Sequence, residues 1–158
     1  MSNLETKLNA MCAVLMANTA EERRLAVEDL KTVMETKVEK PKDTESVIRD
    51  LMLYLGTPDH LNGYDMAVYA IKLCIEDRKY LNHISDVLYP TVALEFSTTT
   101  SRVERGIRFL ITTTFERGNK VALEKVFGTL VDEETGKVTN SEYLGRMTNV
   151  TKQRLRSM

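Results

Sequence analysis

Residues 97–120 read STTTSRVERGIRFLITTTFERGNK, and this stretch sets both the fold class and the chemistry expected of the chain. Thr98, Thr99, Thr100 and Ser101 supply side-chain oxygens for the free N–H groups at a helix start. Beyond them Val103, Ile107, Leu110 and Ile111 recur at the helical period, so a helix running to about Glu116 turns that face inward. The opposite side then presents Ser101, Glu104, Arg105, Arg108 and Thr112, with Arg102 at its flank. Arginine and glutamate on an exposed helix of this kind are the side chains that read guanine and cytosine edges in a DNA major groove.

Working upstream, Pro90 suits the first turn of a helix and opens the segment TVALEF. From residue 90 to residue 110 the spacing fits a helix-turn-helix, with Ala93 small where the two helices cross. The turn carries Ser97 where a glycine is often found, so the chain must turn without the residue that best tolerates positive φ. Arg105 and Arg108 can each offer a fork to guanine, Glu104 can accept from a cytosine amino group, and Thr98, Thr99, Thr100 and Ser101 can donate to phosphates. Glu104 and Arg108 stand four apart, so the same spacing also serves an exposed ion pair worth about 0.3–0.5 kcal/mol. On the residues alone both readings stand.

The remaining segments read as helices. Ser2 followed by Glu5, and Thr19 followed by Glu22, are capping-box signatures that open two helices of a hairpin. Leu4, Leu8, Met11 and Leu15 recur at helical spacing in the first, and an apolar face continues over residues 25–34 in the second. The charged stretch 37–46, broken by Pro41, reads as a linker, dividing an extension at 1–46 from a domain at 47–158. In that domain helices are expected at 47–55, closed by Gly56 and Pro58, and at 64–76, 80–88 and 120–127. An acidic loop follows at 128–139, and Thr139 with Glu142 caps a last helix to about Leu155. With almost no strand signal, the fold class is all-α, with a helix-turn-helix in the domain and a short helical hairpin before it.

Composition narrows the function classes. A hydrophobic content of 42% supports a packed core, and a net charge of −1 excludes a uniformly basic nucleic-acid binder, leaving the local excess of arginine near residue 105 to carry any such role. No apolar run reaches the roughly 18 residues of a membrane span, and the start lacks a secretory signal, so a cytoplasmic protein with no membrane partner is expected, nucleoid-associated only when bound to DNA. Cys12 and Cys74 lie far apart on apolar helical faces and read as buried, reduced thiols rather than zinc ligands. His60 reads as a capping or packing residue near Pro58, and His83 as a helix-surface or core residue. Neither has a nucleophile or metal-ligand companion at useful spacing, and no Gly-rich phosphate loop is present. No catalytic residue, metal or cofactor is expected, and an enzyme is not the reading.

From about Ile48 onward the chain resembles the C-terminal DNA-binding effector domain of the sporulation initiation response regulator of endospore-forming Firmicutes. The resemblance is carried by GTPDHLNGY at 56–64, VLYP at 87–90, TTTSRVERGIR at 98–108, ERGN at 116–119, FG at 127–128 and TNSEY at 139–143. It implies a six-helix domain that reads short G- and C-containing boxes near promoters, commonly as a tandem pair of protomers. It places Arg102, Glu104, Arg105 and Arg108 on the base-reading helix and Arg156 at a phosphate. It further implies contact with the RNA polymerase sigma subunit through Gly118, Asn119 and Phe127, although Lys120, Val121, Ala122 and Glu124 depart from the family pattern. Gly106 stands where the family prefers alanine, and Val138 replaces a proline. The family's receiver domain has no counterpart among these residues, so aspartyl phosphorylation is not expected as the switch. Two functions follow as expectations. One is a transcription regulator acting as a homodimer, with Leu4, Leu8, Met11 and Leu15 as the dimerisation stripe. The other is an interaction protein that antagonises or modulates a full-length sporulation-type regulator through protein contacts.

Overall fold

In the computed structural model, residues 3–16, 18–35 and 42–158 are described, and no strand occurs among them. The chain divides into two units, Met1–Lys40 and Pro41–Met158.

The first unit is a pair of packed helices, α1 (Asn3–Met16) and α2 (Ala20–Glu35). The second of its expected capping boxes forms: Glu22 N–H donates to Thr19 Oγ1 at 3.2 Å, while Thr19 N–H and Asn18 N–H donate to the Glu22 carboxylate. Those main-chain donors hold the Glu22 carboxyl below its ordinary range. Ser2, the other expected cap, lies outside the described residues, as do residues 37–41 of the linker expected at 37–46, whose last three residues instead open a helix. Of this unit's described side chains only Ala26 is buried. Cys12 is exposed, correcting the expectation of a buried thiol: a two-helix hairpin has no interior in which to place it.

The second unit begins with α3 (Thr44–Leu55), whose start is capped by Asp43 accepting from Ser46 N–H at 2.7 Å. Gly56, at φ 74°, closes it: Gly56 N–H donates to Leu53 O and Thr57 N–H to Met52 O, the paired bonds of a Schellman turn. Next comes α4 (Gly63–Glu76), which packs against α3, α7 (Thr100–Arg117) and α9 (Asn140–Arg156). The core is built where they meet, from Leu51, Met52 and Leu55, Ala67, Ala70 and Ile71, Val103, Ile107 and Leu110, and Leu144 and Met147. Cys74 is buried there as expected, and burial pushes its thiol up to about 11.

The single helix expected at 80–88 is instead two pieces, a one-turn α5 (Lys79–Asn82) and a π turn over Ile84–Leu88. The His83 carbonyl accepts from both Val87 N–H and Leu88 N–H, at 2.9 and 3.0 Å, which widens the turn by one residue just before Leu88 and Tyr89 enter the core. The chain then passes through α6 (Tyr89–Glu95), α7, α8 (Lys120–Phe127) and α9. Among the described residues of this unit six helices have seven residues or more, each foreseen from the sequence, beside the short α5 and the π turn. Thr139 and Glu142 form the expected capping box of α9.

Candidate nucleic-acid interface

The turn between α6 and α7 places the arginine-bearing face. Ser97 takes φ 50°, Thr98 N–H donates to Ala93 O at 2.9 Å, and Ser97 N–H donates to Leu94 O at 3.3 Å. This is the same Schellman geometry that Gly56 makes at the end of α3, built here on a residue with a Cβ and so carrying strain. Two residues later Thr99 caps α7, its Oγ1 accepting from Arg102 N–H at 3.3 Å. Its hydroxyl proton remains free to donate outward. Ser101 and Thr99 are exposed; Thr98 and Thr100 are half-buried.

Along α7 the apolar residues Val103, Ile107, Leu110 and Ile111 are buried, and Arg102, Arg105 and Arg108 project from the exposed side. These arginines differ in their surroundings. Arg108 donates to the Glu104 carboxylate, so the expected i, i+4 ion pair forms. Arg102 and Arg105 make no ion pair among the described residues. They line a groove with Asp59, His60, Met66 and Phe109, while Glu104 and Arg108 line another with Tyr89, Lys137 and Asn140. The four expected base-reading residues therefore share one helix face but divide between its two flanks. Arg49 offers a contrast: its guanidinium bonds to both Glu45 and Asp65 at 2.9 Å, spanning α3 and α4, and is committed to the fold.

The two helices of the motif are held by groups that local sequence patterns do not mark. Gly63, at the start of α4, lies so close to α7 that a Cβ added to it would sit 2.1 Å from Gly106 O. Asn140 donates from Nδ2 to Tyr89 Oη at 3.0 Å and to the Glu104 carbonyl at 3.2 Å, joining α6, α7 and α9. Burial raises the Tyr89 phenol, opposed by that hydrogen bond. Phe109 is 60% exposed beside Arg105, an apolar surface that the sequence reading did not single out.

The remaining expected site residues fall elsewhere. Arg156 is exposed at the end of α9. Sixteen residues beyond Asn140 along a helix, it stands roughly 24 Å from the contact with Glu104. Gly118 is packed against backbone, where an added Cβ would lie 2.5 Å from Leu55 O. Asn119 caps α8, accepting from Ala122 N–H at 3.2 Å, and its own N–H donates to Leu55 O at 2.9 Å. Phe127 is fully buried, stacked on Tyr143 with ring centroids 5.3 Å apart, which corrects its expected place among surface contacts. An aromatic ring that fills the core cannot also face a partner. The accessible side of α8 is Lys120, Val121, Glu124 and Lys125, with Lys120 Nζ donating to the Phe115 and Glu116 carbonyls that end α7. On the hairpin Leu8, Met11 and Leu15 are exposed, while the Leu4 side chain lies outside the described residues.

Among the described residues no group of His, Cys, Asp or Glu is placed to hold a metal ion, and no helix is long and apolar enough to cross a membrane. His60 and His83 are both exposed. Residues 48–150 match the model of the family described as sporulation initiation factor Spo0A C terminal.

Proposed function

Because the chain belongs to the family of sporulation initiation factor Spo0A C-terminal domains, we propose that it is a sequence-specific DNA-binding transcription regulator that reads a G- and C-containing promoter box with α7. The observation that carries this reading is the pair Arg102 and Arg105: two exposed guanidinium groups without carboxylate partners among the described residues, on the second helix of a helix-turn-helix. Arg49, by contrast, is committed to carboxylates on α3 and α4. An unpaired fork on a convex helix suits guanine O6 and N7.

In this reading the second unit, with α3 to α9, forms the DNA-binding domain and the α1–α2 pair an extension. Arg102 and Arg105 read guanines on one flank of α7. On the other, the Glu104 carboxylate orients Arg108 and accepts from a cytosine amino group. Thr98, Thr99, Thr100 and Ser101 donate to phosphates at the helix start, and Arg156 meets a distant phosphate. Two protomers occupy tandem sites, with Leu8, Met11 and Leu15 as the self-association stripe. Any sigma-subunit contact uses the exposed side of α8, with Gly118 and Asn119 shaping the turn before it.

The test is selection of a box from a random duplex library, followed by anisotropy titration. Arg105→Ala is expected to lose about 1–3 kcal/mol of discrimination at one guanine position. A protein that selects no box, or an Arg105→Ala variant with full discrimination, would overturn the reading.

A second reading draws on the exposed Leu8, Met11, Leu15 and Leu25 of the hairpin. An apolar surface of that kind suits a protein that captures a full-length regulator and acts without occupying a box. Failure of the two proteins to co-purify removes it.

A further inference from the structure

One side chain ties the start of α9 to both helices of the helix-turn-helix. Asn140 is half-buried at the first position of α9, and its Nδ2 donates to Tyr89 Oη at 3.0 Å and to the Glu104 main-chain carbonyl at 3.2 Å. Its side-chain amide has no capping duty: Thr139 is the N-cap and Glu142 completes the box. The Glu104 carbonyl belongs to the ladder of α7 and has a second lone pair to give. The residue held in this way is also the one whose carboxylate holds Arg108. Tyr89 opens α6, so the other bond anchors the supporting helix to the same amide.

We propose that Asn140 is a positioning residue for base reading, fixing the pitch and rotation of α7 against α6 so that Glu104, Arg105 and Arg108 meet base edges in register. The proposal rests on the DNA-reading function proposed above. Its physical basis is a difference in tolerance. Bidentate contacts to bases fail when a side chain is displaced by about 0.5 Å, whereas attraction to phosphates survives such a shift. Loosening the clamp should therefore weaken discrimination far more than general affinity for DNA.

The experiment compares the full chain with Asn140→Ala and Tyr89→Phe, on a box duplex selected by the unaltered protein and on a scrambled duplex of the same composition. For Asn140→Ala the ratio of box to scrambled affinity is expected to fall at least tenfold, with scrambled affinity within twofold. Tyr89→Phe keeps the bond to Glu104 and is expected to lower the ratio about threefold, and the two changes together should not add. An unchanged ratio in Asn140→Ala, or equal losses on both duplexes, overturns the proposal. If Asn140→Ala does not fold, an unchanged ratio in Tyr89→Phe overturns it. Should the unaltered protein select no box, it is the DNA-reading function that fails. The clamp is then judged without DNA, by amide hydrogen exchange: exchange at residues 102–109 at least tenfold faster in Asn140→Ala than in the parent, with α8 unchanged, supports it. Equal exchange in α7 overturns it.

Discussion

Ser97 shows how one residue can hold a motif under strain. At φ 50° it does what Gly56 does at φ 74° at the end of α3, but its Cβ crowds the backbone. A left-handed non-glycine residue costs roughly 1–2 kcal/mol, offset in part by the greater unfolded-state freedom of glycine. Ser97→Gly is therefore expected to raise stability by about 0.5–1 kcal/mol, read as a higher denaturation midpoint, with the box preference unchanged. Titrating side chains give a second prediction. Burial raises Cys74 to about 11 and also lifts Tyr64, Tyr89 and Tyr143. The folded state keeps protons that the unfolded chain releases, so stability is complete below the ordinary thiol value of 9.0 and falls as pH rises from there through about 11. Urea midpoints measured at pH 8, 9.5 and 10.5 should decline in that order. A flat series would show that these groups are solvated in the native protein.

At the scale of elements, the contact between α4 and α7 is set by two glycines that are not equivalent. A Cβ on Gly63 would meet the Gly106 carbonyl at 2.1 Å, and backbone cannot retreat from it without separating the helices. A Cβ on Gly106 would find Gly63 Cα at 3.4 Å, an ordinary contact. Gly63→Ala is expected to cost about 3 kcal/mol by forcing the crossing apart. Gly106→Ala should gain about 0.5–1 kcal/mol from helix propensity alone. Thermal unfolding of the two variants checks the asymmetry, and equal effects would mean that the helices do not cross at this point. Glycine at position 106, where the resembling family prefers alanine, is thus a departure that the packing does not require. The buried threonines of α7 and α9 illustrate another economy. Thr114, Thr148 and Thr151 donate to carbonyls four residues back, each at 2.7 Å, so their hydroxyls sit in the core without unsatisfied donors.

For the whole molecule, a net charge of −1 means that DNA affinity must come from a local field rather than from overall attraction. Binding should therefore weaken steeply with salt, and Arg156 separates positioning from reading. Arg156→Ala is expected to lower affinity for box and scrambled duplexes alike and to reduce the slope of log K against log salt by about 0.9, as for one phosphate contact. An unchanged slope would remove Arg156 from the interface. Periodicity, caps and breakers, all encoded within a few residues, were enough to place α3, α4 and α6 to α9, the Thr19 and Thr139 capping boxes and the buried stripe of α7. The arginine face was legible for the same reason, because the helical repeat alone assigns Arg102, Arg105 and Arg108 to the outside. What no local pattern encodes is which distant groups meet. The family resemblance implied Phe127 as a contact surface, and packing against Tyr143 buried it; the periodicity suggested one helix at 80–88, and the demand to bury Leu88 and Tyr89 came with a π turn. Cys12 looked internal by its helical spacing, yet burial depends on what covers a face, which spacing does not say. That Arg102 and Arg105 stay without an ion pair among the described residues, and that Asn140 reaches Tyr89 and Glu104 across 51 and 36 residues, were decided only by the tertiary structure, because contacts between distant segments depend on distances in space that separation along the chain does not fix.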